Sequence, residues 1–143
     1  MRTLPPIAPK DPEILARTAY GRASDQSDAA RIGVISVVLN RATLGKFPGA
    51  RSIAGVCQAP MQFDCWNKGT ADYDRTIKAT TADAAYAACL GLALAAIQFR
   101  IADNTQDAVF CHDTSLAEPP KEWGAVRFTV QLGKLKFYAQ AKP

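Results

Sequence analysis

The sequence predicts a mainly helical domain with a small antiparallel hairpin near its C-terminus, which is an α+β fold. Three segments carry apolar residues at helical spacing behind residues that typically cap helices. Near the C-terminus, apolar residues instead alternate with polar ones over two short runs separated by Gly133 and Lys134. The chain has 143 residues, of which 48% are hydrophobic and 21% charged. This is enough apolar material for one domain with its own core.

The first ten residues contain three prolines and read as an extended lead-in, so the domain is predicted to occupy residues 11–143. Asp11 is predicted to cap the first helix, with Pro12 in its first turn. We expect this helix to be short because its apolar spacing weakens at Gly21. Arg22 then lies in the last turn, where a cation interacts favourably with the helix dipole.

A second helix is predicted from a cap at Ser27 or Asp28 to about Arg41, and its broad apolar stripe indicates a central helix. Ser52 is predicted to cap a short helical turn. Residues 58–76 then combine aromatic and polar types without a sustained period. Such a stretch inside a compact domain is usually functional or disordered, and its aromatic residues argue against disorder.

A third helix is predicted from a cap at Thr81 or Asp83 to about Arg100. Because it is apolar nearly all round, we expect it to be the buried helix of the domain. Residues 108–113 are predicted to form a short strand or extended piece, followed by the closing hairpin.

Composition and charge exclude several classes of function. The net charge of +4 comes from scattered lysines and arginines, and without zinc spacing or aromatic–basic interleaving we expect no nucleic-acid partner. With one histidine and no CxxC pair, no metal and no other cofactor is expected. Cys57 and Cys65 are near enough in sequence for a bridge, with buried free thiols as the equal alternative.

The N-terminus does not resemble a signal peptide, and no segment approaches 18 uninterrupted apolar residues. From the sequence as given we expect a protein that is made in the cytoplasm and does not insert into a membrane.

The run VCQAPMQFDCWNKG, residues 56–69, is the most informative for function. Phe63 and Trp66 can be core residues. Gln62 and Asn67 lie beside them, and polar side chains that flank aromatics in a loop are typical of sugar or base recognition. The sequence supports the two interpretations about equally.

The same region carries a family resemblance. SIAGVCQAPMQFDCWN (52–67) resembles the cell-wall hydrolase family typified by the spore cortex-lytic enzymes. In chain order, ILARTAYGRAS (14–24) resembles the family's opening helix, VISVVLNR (34–41) its Val-Leu-Asn-Arg helix, DNTQDAVFCHD (103–113) the segment that usually reads Gly-Ala-Thr-His-Tyr-His, and FTVQLGKLKFY (128–138) the closing Ile-Gly-x-His-x-Phe-Tyr. The likeness covers roughly residues 12 to 138.

The resemblance implies a lysozyme-like domain that cleaves peptidoglycan between N-acetylmuramic acid and N-acetylglucosamine, as a lytic transglycosylase or muramidase. Members would use one glutamate to protonate the leaving glycosidic oxygen. That acid must keep its proton beside the bond while an oxocarbenium-like state develops. In a transglycosylase the sugar's own 6-hydroxyl can replace the second carboxylate.

The chain departs from the family's pattern at the position of that glutamate. The family reads Tyr-Gly-Glu-Ala where this chain reads YGRA, and a guanidinium keeps its proton at working pH, so Arg22 cannot act as general acid. Asp25, in the turn just beyond, is the nearby carboxylate that could substitute if its pKa were raised. The closing histidine is replaced by Leu135, which leaves His112 as a single and more typically structural histidine.

Two functions follow as hypotheses. One is a peptidoglycan hydrolase or lytic transglycosylase with impaired turnover, for example a phage endolysin, that reaches the cell wall through a holin, a phage particle or another route. The other is a catalytically silent glycan-binding or structural module, such as a phage particle component, in which Arg22 fills the acid's space or pairs with Asp25 or Asp64. A third interpretation is that Arg22 is an engineered replacement of the family's glutamate.

The expected partners are peptidoglycan glycan strands and, in the phage case, other particle proteins. The predicted catalytic positions are Arg22, which is not competent as an acid, and Asp25 as its possible substitute. The predicted substrate-binding residues are Tyr20, Gln62, Phe63, Trp66, Asn67 and Tyr138.

Overall fold

The computed structural model describes residues 2–141, which form a mainly helical α+β domain as predicted. Within these residues the helices are α1 (Asp11–Ala23), α2 (Asp28–Leu44), α3 (Ile53–Gln58), α4 (Ala71–Lys78) and α5 (Ala84–Ile97), and the strands are β1 (Phe110–Asp113), β2 (Val126–Leu132) and β3 (Leu135–Gln140). Single turns of 3₁₀ helix lie at Asp64–Trp66 and Lys121–Trp123. The strands form one antiparallel sheet in the order β1-β3-β2.

The central helix of the fold is α2. Its cap is Ser27, whose hydroxyl accepts a hydrogen bond from the Ala30 N–H, and it ends at Gly45 in the left-handed conformation with φ of +73°. Every residue from 33 to 42 is buried. The broad apolar stripe in the sequence therefore predicted the position of α2 correctly.

The sheet packs one face against α2. Phe137 of β3, the middle strand, is fully buried, and its ring lies against Gly33 of α2. A Cβ atom at Gly33 would lie 2.5 Å from Phe137 Cζ and 3.1 Å from Leu132 Cδ1. The absence of a side chain at Gly33 thus allows the close approach of helix and sheet.

The predicted cap at Asp11 is wrong, because its carboxylate has tertiary partners. Asp11 is the first residue of α1 and fully buried, and its carboxylate accepts hydrogen bonds from the backbone N–H groups of Ala8 (2.7 Å) and Ala54 (3.0 Å). The carboxylate therefore ties the lead-in to the start of α3. The helix ends at Ala23, so Arg22 lies in its last turn as predicted.

Helix α5 corresponds to the third helix predicted from the sequence, and the expectation that it is the buried helix of the domain is also wrong. In α5 the buried residues are Tyr86, Cys89, Ala93 and Ala96, which share one face, whereas Leu94 is 40% exposed. Many of its apolar residues are alanines, whose small side chains favour a helix without requiring burial. Asp83 caps α5 as predicted by accepting from the Ala85 N–H at 2.8 Å.

Helix α4 was not predicted from the sequence. Most of it lies in the unpatterned stretch 58–76, and its last two residues follow that stretch. Thr70 caps α4 by accepting from the Tyr73 N–H at 3.1 Å. Thr76 is the one residue of this helix that is buried. With only eight residues, α4 is shorter than the stretch over which a helical period is usually recognised in a sequence.

Residues 2–8 have no regular secondary structure, as predicted for the lead-in, but they contact the domain. Arg2 Nε donates to Asn40 Oδ1 at 2.9 Å, and Arg2 Nη2 lies 3.7 Å from a carboxylate oxygen of Asp103. The four cysteines are free thiols, which agrees with the unbridged alternative for Cys57 and Cys65. No helix in residues 2–141 has the length and apolar character needed to cross a bilayer.

Gly33→Ala should lower the free energy of unfolding by about 1–3 kcal/mol, because the new methyl group must displace the Phe137 ring. The matched control is Gly91→Ala in the middle of α5, where an added Cβ has no neighbour within 4 Å. That variant should be more stable by up to about 1 kcal/mol from helix propensity. Urea unfolding of the two variants tests the pair, and equal stabilities would contradict the packing of α2 on the sheet.

Candidate active-site cleft

A cleft of about 750 Å³ lies between the helices and the sheet. Its walls are formed by Arg22 at the end of α1, by Arg41 in the C-terminal half of α2, by residues 61–64, by residues 110–113 of β1, and by the loop that follows as far as Trp123. This volume lies within the range of known small-ligand pockets.

Three of the residues predicted from the sequence line this cleft: Arg22, Gln62 and Phe63. Asp25, the predicted substitute acid, does not line it. The Asp25 carboxylate is exposed in the turn between α1 and α2 and lies 3.9 Å from Lys134 Nζ.

The remaining predicted residues lie outside the cleft lining. The Tyr20 hydroxyl donates to Asp83 Oδ2 at 2.6 Å, so this side chain connects α1 to the start of α5. The indole N–H of Trp66 donates to Thr18 Oγ1 at 2.9 Å. Asn67 ends the first 3₁₀ turn, Asp64–Trp66, and its carbonyl accepts from the Thr70 hydroxyl. The sixth substrate-binding residue, Tyr138, is buried behind the cleft wall and is described with His112 below.

Arg22 reaches the cleft because α1 packs closely at Gly21. A Cβ atom at Gly21 would lie 2.7 Å from Cys65 Sγ and 2.8 Å from Thr76 Oγ1, so only glycine allows this approach. In the described part of the chain, no carboxylate oxygen lies within 4.0 Å of the Arg22 guanidinium. The expected ion pair with Asp25 or Asp64 is therefore not formed.

Arg41 is a second cation in the cleft and is only 5% exposed. Its Nε donates to the Val109 carbonyl at 2.7 Å and its Nη1 donates to Gln62 Oε1 at 3.1 Å. Burial lowers the pKa of Arg41 from its usual value, but a guanidinium remains charged in proteins.

Three phenylalanine rings surround the Arg41 guanidinium. Its Cζ lies 4.9 Å from the ring centroid of Phe47, 5.2 Å from that of Phe63 and 5.4 Å from that of Phe110. Each distance is within cation–π range, so the rings offset part of the cost of burying the charge. Phe63 thus contributes to the cleft by holding Arg41 in place.

His112 and Tyr138 form a buried hydrogen-bonded pair in the sheet. His112 Nδ1 lies 2.7 Å from the Asp113 carbonyl and His112 Nε2 lies 3.0 Å from the Tyr138 hydroxyl. A carbonyl only accepts, so Nδ1 carries a proton, and in the neutral ring Nε2 accepts from Tyr138. Both ring nitrogens of His112 thus have hydrogen-bond partners, and because His112 also lines the cleft, its structural role stays a prediction.

Trp123 was not among the predicted site residues, although it lines the cleft. Its ring stacks on Phe110 with centroids 4.6 Å apart and also packs against Tyr138. Trp123 lies in the second 3₁₀ turn, far in sequence from residues 62–67, so only the folded chain brings it to the same site.

The carboxylates that line the cleft within residues 2–141 are those of Asp64, Asp113 and Glu122. The backbone N–H of Ser115 donates to Asp113 Oδ1 at 2.8 Å and, with the Ser115 hydroxyl, holds the pKa of Asp113 below its usual value. A general acid needs the opposite shift. In the same residues, no cluster of three His, Cys, Asp or Glu side chains could hold a metal ion.

A mainly helical domain with a cleft between its helices and a small antiparallel sheet is lysozyme-like in class. The chain belongs to the cell wall hydrolase family, whose model matches residues 25–138. The family model thus begins three residues after Arg22, and the assignment of this position rests on the motif resemblance. No sequence among curated proteins matches the chain significantly.

The fold is similar to two solved structures. One is the catalytic domain of the Bacillus cereus SleB protein, with a TM-score of 0.67 and 25% identity over 96% of this chain and 97% of that chain. The other is the catalytic domain of the germination-specific lytic transglycosylase SleB from Bacillus anthracis, with a TM-score of 0.66 and 24% identity over 91% and 94% of the two chains.

Tyr138→Phe should lower the free energy of unfolding by about 1–3 kcal/mol, because it leaves the buried Nε2 of His112 without a partner. Tyr73→Phe is the matched control, since the Tyr73 hydroxyl forms no hydrogen bond within residues 2–141. It should change stability by less than about 0.5 kcal/mol. Urea unfolding compares the two, and a neutral Tyr138→Phe would contradict the hydrogen-bonded pair.

The buried thiols should alkylate slowly in the native protein. Burial raises the pKa of Cys57 to about 12 and those of Cys65 and Cys89 to about 11. Because the thiolate is the nucleophile, iodoacetamide should modify them at least about a hundredfold more slowly at pH 8 in buffer than in urea. Mass spectrometry of peptides gives the rates. A disulfide between Cys57 and Cys65 would instead leave both unmodified in urea without reductant.

Proposed function

We propose that this chain is a peptidoglycan-binding member of the cell wall hydrolase family whose glycosidic turnover is impaired. The observation that carries the proposal is the Arg22 guanidinium, which lines the cleft without a carboxylate partner within residues 2–141. Family membership and the similarity to a structure described as a germination-specific lytic transglycosylase support the substrate class.

Cleavage of a glycosidic bond needs a proton donor at the leaving oxygen. The motif resemblance places the family's glutamate at the position of Arg22. A guanidinium cannot donate its proton at neutral pH, and its charge opposes the positive charge that develops on the sugar ring. Loss of general acid catalysis alone typically costs a factor of about 10² to 10⁴ in rate.

Binding of a glycan strand does not depend on that acid. Trp123 offers an aromatic face and Gln62 an amide within the same cleft, and both kinds of group recognise sugars. The chain therefore keeps the means to bind a glycan while it lacks the means to cleave it. A role as a phage endolysin or particle component, delivered by a holin or by the particle, remains a prediction from the sequence.

A second candidate function is an active enzyme with a relocated acid, and one observation favours it. Glu122, in the 3₁₀ turn Lys121–Trp123, lines the same cleft as Arg22. If a glycan lay between Arg22 and Glu122, Glu122 would be the proton donor. Asp25, the substitute predicted from the sequence, remains a further possibility outside the cleft lining.

Arg22→Glu should restore the release of soluble muropeptides from purified peptidoglycan, because it returns a carboxyl group to the acid position. The unmodified chain should release none above a protein-free blank. Arg100→Glu, which makes the same charge change on an exposed residue outside the cleft lining, should resemble the unmodified chain. Chromatography of the soluble fraction measures release, and sedimentation of each variant with peptidoglycan measures binding.

The outcomes separate the two candidates. Release by the unmodified chain that disappears in Glu122→Gln or Asp25→Asn would contradict the impairment and identify the relocated acid. If the unmodified chain neither releases muropeptides nor sediments with peptidoglycan, the proposed binding is wrong.

A further inference from the structure

The cleft contains a buried guanidinium, Arg41, that no carboxylate of residues 2–141 pairs with directly. Arg41 is 5% exposed, and within residues 2–141 no carboxylate oxygen lies within 4.0 Å of its guanidinium. A buried ion without a counter-charge is costly, and buried charges in proteins are normally paired. The cation–π contacts and the two hydrogen bonds of Arg41 compensate the charge only in part.

The Arg41 guanidinium is held with one donor nitrogen unused. Nε donates to Val109 and Nη1 donates to Gln62, whereas Nη2 donates no hydrogen bond in the part of the chain that the structure describes. Since Arg41 lines the cleft and the surrounding rings fix its plane, Nη2 is a preorganised donor at the cleft wall.

Arg22 adds a second guanidinium to the same region. Arg22, Arg41 and Cys111 all line the cleft. Burial raises the pKa of the Cys111 thiol, whereas the charges of Arg22 and Arg41 act to lower it. The carboxylates that also line the cleft are those of Asp64, Asp113 and Glu122. Within residues 2–141, none of them forms an ion pair within 4.0 Å of the Arg22 or Arg41 guanidinium. The cleft therefore holds two cations whose charge is uncompensated at close range.

We propose that Arg22 and Arg41 form a carboxylate-binding subsite for acidic groups of a peptidoglycan strand. The inference rests on the proposed function, because it specifies which part of the glycan the cleft recognises. N-acetylmuramic acid carries a lactyl carboxyl group, which is free in peptide-free strands, and attached stem peptides carry further carboxylates. N-acetylglucosamine has none. Arginine binds carboxylates through paired N–H donors, so the cleft selects acidic glycans over neutral ones.

The test measures binding of the full chain to three soluble glycans of similar length. These are peptide-free peptidoglycan strands, peptide-bearing strands and neutral chitin oligosaccharides. The neutral oligosaccharide should bind at least about tenfold more weakly than the preferred acidic glycan, the size expected for loss of one charged hydrogen bond. The difference should shrink at high salt, which screens the attraction.

Two variants test whether Arg22 and Arg41 cause the preference for acidic glycans. Arg22→Gln should reduce the preference for the acidic glycan about tenfold, whereas Arg100→Gln, with the same change in net charge, should leave it unchanged. Arg41→Gln removes a buried anchor, so its result counts only if thermal melting shows a folded protein. If Arg41→Gln is unfolded, the test rests on Arg22→Gln alone.

Each outcome has one meaning. A preference for peptide-free strands identifies the lactyl carboxylate, and a preference confined to peptide-bearing strands identifies the stem peptide. Equal binding of neutral and acidic glycans, or an unchanged preference in Arg22→Gln, would overturn the subsite and leave the proposed glycan binding intact. If none of the three glycans binds, the proposed function itself is wrong and the subsite is wrong with it.

Discussion

The buried guanidinium of Arg41 is the interaction that joins the walls of the cleft. It belongs to α2, donates to the Val109 carbonyl just before β1, and donates to Gln62 in the loop after α3. The ring of Phe47, from the loop after α2, packs on it as well. Three segments far apart in sequence thus share one rigid, charged anchor. Hydrogen bonds to charged groups contribute about 1.5–3 kcal/mol each, so this anchor is strong enough to fix their relative positions.

Local signals in the sequence were sufficient to predict the helices and the hairpin whose ends carry characteristic capping or turn residues. Ser27 and Asp83 cap α2 and α5, and Gly133, with φ of +57°, turns the closing hairpin. The errors arose where tertiary contacts decide the outcome. Asp11 has a side chain suited to capping but finds backbone donors from two other segments. Helix α5 is apolar all round, and periodicity alone cannot show which face is covered.

The candidate site was predictable as a region but not as a set of side-chain directions. Gln62 and Phe63 line the cleft, whereas the indole N–H of Trp66, at the end of the 3₁₀ turn Asp64–Trp66, donates to Thr18. The burial of Arg41 did have a signal in the sequence. It follows Val37 and Val38 by four and three residues, so it lies on the buried face of α2. A charged residue at such a position indicates a buried polar network.

Shape and chemistry are separable in this cleft. The hydrogen bonds that hold its walls together run through Arg41, and the side chain of Arg22 has no part in them. Arg22 is instead presented at the cleft by the close packing at Gly21, which depends on the backbone of α1 and not on the identity of the next side chain. A change of residue 22 therefore alters the charge and the acid–base capacity of the cleft while leaving its frame intact. The shape of the cleft is therefore independent of the chemical group that residue 22 contributes to it.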